Sequence, residues 1–193
     1  MKLLYLHGFR SSPQSVKAQK CDARVQQLRK QGDRIEWYCP QLPPSPKAAM
    51  EMVMEHIESW QGHQMGIIGS SLGGFYATYV AEHKRCGAVL LNPAVNPARD
   101  IEKFMQEHND IPPEEQIYFQ PQYIEELHAL QVTLTMPERY FLIAAKGDDV
   151  LDYKEAVKHY KGSEQLVLEG SDHQLTDFDQ YMDDVFDFIG LGT

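Results

Sequence analysis

Six short apolar runs, each followed by a longer stretch with helical spacing, constrain this chain more than any other feature. Residues 3–6, 35–39, 65–68, 88–91, 140–145 and 165–168 read as strands. Several are consecutive Leu, Ile, Val and Ala residues without polar alternation, as expected of strands covered on both faces. Between them, Ala18, Cys21, Val25 and Leu28 fall on one helix face behind a candidate cap, Ser15. Ser45-Pro46 supplies a cap and a first-turn proline for a helix carrying Met50, Val53, Ile57 and Trp60. Phe178, Tyr181, Met182, Val185, Phe186 and Ile189 make a last apolar stripe, stopped by Gly190. Such alternation closes into an α/β architecture: a mainly parallel sheet of about six strands with helices on both faces.

Composition sets the outer limits. The chain has 193 residues, which suits a single domain over 1–193 with a core that needs no disulfide or metal. Its 18 Lys and Arg against 28 Asp and Glu leave a net charge of -10, which argues against a nucleic-acid partner. Cys21, Cys39 and Cys86 are odd in number, widely spaced and form no CxxC pair, so reduced thiols are expected. The apolar start at Leu3-Leu4-Tyr5-Leu6 is too short for a signal-peptide core, and no run approaches a membrane span. A soluble, cytoplasmic protein is the expectation. Its oligomeric state has no signature in the sequence.

One segment breaks the rhythm. Residues 93–137 separate two strands that one crossover helix would connect, and they contain Pro97, Pro112, Pro113, Pro121 and Pro137. Helix-like spacing recurs near 98–107 and 122–130. Long insertions of this kind are either covers over a pocket or plain surface excursions, and pattern alone leaves both open. As a cover, the segment would be a lid-like insertion, and Phe104, Tyr118, Phe119 and Tyr123 would be candidates to line the pocket.

The chemistry concentrates at Gly69-Ser70-Ser71-Leu72-Gly73-Gly74, which follows the third strand and opens a helix. This is the strand–turn–helix setting of a G-x-S-x-G nucleophile elbow. A sharp turn lifts a serine hydroxyl above the sheet, and the flanking glycines avoid collisions with the neighbouring strand and helix. With Ser71 central, Gly69 and Gly73 occupy the two required places; with Ser70 central, Ile68 and Leu72 would. Ser71 is therefore the nucleophile candidate. The motif lacks the Gly-Lys-Ser/Thr of a Walker loop and the glycine spacing of a dinucleotide fingerprint.

A serine needs a base to take its proton and an acid to orient that base. Lys146-Gly147-Asp148-Asp149 follows the fifth strand and Gly170-Ser171-Asp172-His173 follows the sixth, both at carboxyl ends, where open α/β sheets build sites. The chain order is Ser71, Asp148 or Asp149, His173, with Asp148 preferred. Of the eight histidines, His173 alone lies in a glycine-flanked loop after the last strand. His7-Gly8-Phe9 follows the first strand, so the backbone N–H groups of Phe9 and Leu72 are the candidate oxyanion donors.

Taken together, Leu6-His7-Gly8-Phe9, Ser11-Ser12-Pro13, Pro40-Gln41-Leu42-Pro43-Pro44, the Gly69 to Gly74 motif, Asn92-Pro93-Ala94 and Gly147-Asp148-Asp149-Val150-Leu151-Asp152-Tyr153 resemble the YqiA-like bacterial esterases, small α/β-hydrolases. The resemblance spans nearly the whole chain. It implies the α/β-hydrolase fold, Ser71 as nucleophile, Asp148 as acid, His173 as base, and esterase activity on carboxylic or thioester acyl substrates. Asp149 stands where relatives commonly carry Glu, and Asp172-His173-Gln174 departs from their Asn-His-Ala type. Neither departure touches the three triad positions.

The expected function is a serine esterase or thioesterase acting on small-molecule acyl esters, acyl-CoA among them, with no metal or organic cofactor. An acyltransferase or peptidase on the same triad, and a non-catalytic binding module of hydrolase fold, are the alternatives. Charge is uneven: Lys17, Lys20, Arg24, Arg29, Lys30 and Arg34 enrich one early stretch, while Asp172, Asp177, Asp179, Asp183, Asp184 and Asp187 enrich the end. Solvated helix faces explain both stretches; a basic patch for an anionic acyl carrier is the sharper alternative.

Overall fold

The computed structural model of the chain describes residues 1–108 and 110–192. Strands β1 (Lys2–Leu6), β2 (Glu36–Tyr38), β3 (Met65–Ser70), β4 (Gly87–Leu91), β5 (Tyr140–Ala145) and β6 (Glu164–Leu168) form one sheet. Their order is β2-β1-β3-β4-β5-β6. Every adjacent pair is parallel, so the mainly parallel sheet expected from the sequence is parallel throughout. Because β1 lies between β2 and β3, the chain leaves it in opposite directions, and a crevice opens between the carboxyl ends of β1 and β3.

The α-helices among the described residues are α1 (Val16–Gln31), α2 (Pro46–His56), α3 (Leu72–Lys84), α4 (Pro97–Glu107), α5 (Pro121–Ala129), α6 (Tyr153–His159) and α7 (Met182–Phe188). The consecutive apolar runs find cover on both sides. Leu3, Tyr5, Ile68 and Val89 pack under Ala18, Cys21, Val25 and Leu28 of α1 and Val185 and Phe186 of α7. Their chain neighbours Leu4, Ile67 and Leu90 point the other way, under Met50 and Val53 of α2 and Phe75 and Val80 of α3. A fully buried side chain of this size contributes roughly 1.5–3 kcal/mol, so the two layers supply most of the folding drive.

Local details depart from the sequence reading where tertiary contacts intervene. Ser45 caps α2 by accepting from the Ala48 N–H at 3.1 Å. Ser15 occupies the N-cap place of α1, but its side chain makes no capping hydrogen bond. α2 stops at His56, although the apolar spacing runs on to Trp60; Ile57 and Trp60 are still buried, from the turn that follows. The segment 93–137 carries α4 and α5, which pack on each other, with α5 resting on α2. Among the described residues no helix is long and apolar enough to cross a membrane.

The two charged stretches meet. Lys20 pairs with Asp179 at 2.5 Å and Arg24 with Asp183 at 2.9 Å, joining α1 to the acidic end of the chain. Both acids are largely exposed, so each pair contributes at most about 1 kcal/mol. Lys17 is different. It is buried, with 7% exposure, and donates from Nζ to the Gln174 carbonyl. Burial lowers its ammonium to about 8 against the opposing pull of Asp172, Cys21 and Asp148. The folded state therefore resists protonation that the unfolded chain accepts, so this residue lowers stability most below pH 8. That penalty fades as pH climbs from about 8 towards the ordinary lysine range near 10.4. Lys17→Met should raise Tm at pH 7 by at least about 2 °C, and thermal unfolding at pH 10 should show a smaller gain.

Candidate active site

Ser71 sits where β3 turns into α3, with φ 54° and ψ −120°. Few side chains adopt this left-handed conformation, and it costs on the order of 1–3 kcal/mol. Neighbouring hydrogen bonds hold it. The Ser71 N–H donates to the Leu91 carbonyl at 3.0 Å, and its own carbonyl accepts from Gly74 at 2.9 Å and Ala94 at 3.0 Å. The flanking glycines are demanded by contact. A Cβ on Gly73 would lie 2.0 Å from the Leu6 carbonyl oxygen, and one on Gly69 would lie 2.3 Å from the Gly73 carbonyl oxygen. The hydroxyl of Ser71 makes no capping bond to α3. It is free to face the crevice.

Three residues nominated from the sequence form one hydrogen-bonded chain. Ser71 Oγ lies 3.1 Å from His173 Nε2, and His173 Nδ1 lies 2.8 Å from Asp148 Oδ2. The Asp148 side chain is 2% exposed, and its other oxygen accepts from the N–H groups of Val150 and Leu151, both at 2.8 Å. Burial pushes the Asp148 carboxyl up, but the bonds from His173, Leu151 and Val150 outweigh it and hold the group below its ordinary value. An ionised Asp148 accepts only, so Nδ1 carries the imidazole proton and Nε2 is left to accept from Ser71. Asp149, the alternative acid, is exposed and takes no part in this chain.

The backbone N–H groups of Phe9 and Leu72 have no hydrogen-bond acceptor among the described residues. Phe9, Leu72 and Ser71 line one cavity of about 320 Å³, walled further by Ile101, Phe104, Phe119 and Leu151. That volume is at the lower end for small-molecule sites. Phe9 meets Phe119 and Tyr118 edge-on at 5.3 and 5.8 Å, so the turn after β1 and the 93–137 segment share an aromatic cluster. Of the aromatics named from the sequence, Phe104 and Phe119 line this cavity, Tyr118 borders a smaller groove beside His7, and Tyr123 lines neither.

The side chain of His7 proves structural. It is 4% exposed, and its Nε2 accepts from the Leu42 N–H at 3.0 Å while Nδ1 donates to the Gly8 carbonyl at 2.9 Å. Burial lowers its pKa and keeps it neutral, and it pins the proline-rich loop at Leu42 against the β1 turn. No three His, Cys, Asp or Glu side chains converge to hold a metal ion among the described residues.

Sequence reasoning passed over what holds His173 in place. β6 lies three strands from β3, so its loop must reach back over the ends of β5 and β4. Asn92, at the end of β4, bridges that gap. Its Nδ2 donates to the carbonyls of Asp172 at 2.9 Å and His173 at 3.1 Å, and its Oδ1 accepts from the Ala145 N–H at 2.8 Å. The signal was a polar residue closing an apolar strand, buried at 4% exposure.

A family model described as an uncharacterised protein family, UPF0227, matches residues 2–190. The chain belongs to that family. It is the YqiA-like family that the sequence motifs resemble. A structure from Agrobacterium vitis S4, provisionally assigned as a hydrolase, superposes with TM-score 0.71 at 17% identity, covering 97% of this chain and 87% of that one. A structure of the metagenome-derived lipolytic enzymes LipS and LipT gives TM-score 0.66 at 18% identity, with coverage of 98% and 93%. Mouse alpha/beta hydrolase domain-containing protein 10 gives TM-score 0.66 at 12% identity, with coverage of 96% and 89%. At these identities the likeness concerns the fold: this chain has the α/β-hydrolase fold.

Asn92→Asp keeps the shape but turns an acceptor onto two carbonyl oxygens. It should cost roughly 2–4 kcal/mol in urea unfolding. A loss under about 0.5 kcal/mol, the scale of an ordinary surface substitution, would contradict the bridging role.

Proposed function

We propose that this chain is a serine hydrolase cleaving carboxylic esters or thioesters of compact acyl groups through an acyl-enzyme on Ser71. The observation that carries the reading is the unbroken hydrogen-bond chain Ser71–His173–Asp148 at the edge of an apolar cavity. In the first half-reaction Ser71 Oγ bonds to the substrate carbonyl carbon while its proton passes to His173 Nε2. Asp148, held ionised, stabilises the resulting imidazolium, and the N–H groups of Phe9 and Leu72 donate to the carbonyl oxygen as it gains charge. The C–O or C–S bond then breaks, and Nε2 returns the proton to the leaving alcohol or thiol. In the second half-reaction a water attacks the acyl carbon, His173 takes its proton, and the acid departs from Ser71.

The apolar cavity suits the acyl chain, with Ile101, Phe104 and Phe119 of the 93–137 segment forming a lid over it. The esterase and lipolytic names of proteins sharing this fold agree with that chemistry. Lys20 and Arg24, which would attract an anionic carrier such as coenzyme A, are matched by Asp179 and Asp183, so the reading rests on the acyl group and not on the carrier.

A fluorophosphonate should add covalently to Ser71, with mass spectrometry locating the adduct there; undiminished labelling of Ser71→Ala would overturn the assignment. On a chromogenic ester, Asp148→Asn should lower kcat by on the order of ten-thousandfold. Asp149→Asn should stay within about threefold, as expected of an exposed side chain outside the hydrogen-bond chain.

A further inference from the structure

A second recess, of about 80 Å³, adjoins the apolar cavity at Phe9 and Ser71 and continues past His173. Its character is the reverse of its neighbour's. Ser11, Ser15, Ser70, Tyr5 and Lys17 line it, each bringing a hydroxyl or an ammonium. Tyr5 is fully buried and its hydroxyl has no hydrogen-bond partner, although the Ser15 and Ser70 hydroxyls lie beside it. That hydroxyl is out of reach of solvent, so it acts on the recess through the Ser15 and Ser70 hydroxyls beside it, which line the recess and whose protons it can orient. Lys17 commits one donor to the Gln174 carbonyl and keeps two. At a pKa of about 8 it stays charged at neutral pH.

The first turn of α1 adds to this. Ser15 leaves the helix uncapped, and the N–H groups of Val16, Lys17 and Ala18 have no acceptor among the described residues. An uncapped helix start beside an ammonium and several hydroxyls favours negative charge. The nearest opposing groups are the carboxylates of Asp172 and Asp148. The first accepts from the Thr176 N–H and the second is tied to His173, and neither lines the recess.

We infer that this recess is an anion subsite for the leaving group, receiving a compact carboxylate or phosphate carried by the alcohol of the ester. The inference rests on the acyl-enzyme reading in one respect only. The leaving oxygen must take its proton from His173 Nε2, so it departs on the side where this recess lies. With liquid water taking about 30 Å³ per molecule, the space suits a group of a few heavy atoms. Once vacated, it admits the water that deacylates Ser71.

The test compares the butyryl esters of glycolate and glycolamide, which share size and acyl chain and differ in charge. The native protein should prefer the glycolate ester in kcat/KM by about tenfold or more, as a charge-assisted contact implies. Lys17→Met should bring that ratio close to one, and Tyr5→Phe should lower it. Calorimetry on Ser71→Ala, which binds without turnover, should show the same preference, lost when Lys17→Met is added. Equal turnover and equal binding of the two esters would overturn the subsite, as would a preference that survives Lys17→Met. If the native protein hydrolyses neither ester while Ser71→Ala still selects the anion, the hydrolase reading falls and the subsite stands.

Discussion

The close approach of the β3–α3 turn to the end of β1 is the constraint on which the rest of the site depends. There is no room for a side chain at Gly73 against the Leu6 and His7 carbonyls, or at Gly69 against Gly73 itself. Packed that tightly, the turn can pass only if Ser71 adopts a left-handed conformation, and this lifts its hydroxyl into the crevice between β1 and β3. Leu72, the residue after Ser71, lines the same cavity as Phe9, and neither N–H has an acceptor among the described residues. In the proposed mechanism, nucleophile and oxyanion donors would thus follow from one packing event, stabilised by the apolar layers on both sides of the sheet.

A parallel sheet solves the remaining problem of distance with hydrogen bonds. Asp148 follows β5, next to β4, and its loop carries it to the crevice by closing a turn on Val150 and Leu151. His173 starts further away, beyond β5, and Asn92 draws its loop in by holding two successive carbonyls. One buried amide therefore couples the ends of β4 and β5 to the histidine loop. In such a setting a half-satisfied network costs more than an apolar one, which makes Asn92 a poor site for substitution.

Much of this was legible in the sequence. Apolar runs marked all six strands, and those without alternation belong to β1, β3, β4 and β5, which need cover on both faces, whereas the edge strands β2 and β6 are partly exposed. The glycine spacing chose Ser71 over Ser70, because a wrong frame would place Ile68 and Leu72 where no side chain fits. Asp148 and His173 stood out as polar groups in loops after strands, and they lie within hydrogen-bond reach of one another. What escaped notice depended on partners distant in the chain. Asn92 stood only as part of a family motif, without a role, until its carbonyl partners, some eighty residues on, were placed. Lys17 looked like one more charge on a basic helix, yet it lies buried against Gln174. Ser15 had the composition of a cap, but the space it faces is the polar recess beside Ser71.

Two features of the molecule lower its stability without serving its core: the strained Ser71 turn and the buried Lys17 ammonium. Both sit at the crevice, where stability is commonly given up for chemistry. The central claim is that Ser71 carries the acyl group during turnover, and rapid quenching of the native protein with p-nitrophenyl butyrate tests it most directly. Peptide mapping should find a butyryl group on Ser71, formed in step with an initial burst of p-nitrophenol approaching one per chain. Steady turnover with no acyl group on Ser71, or with the acyl group on another residue, would contradict the account.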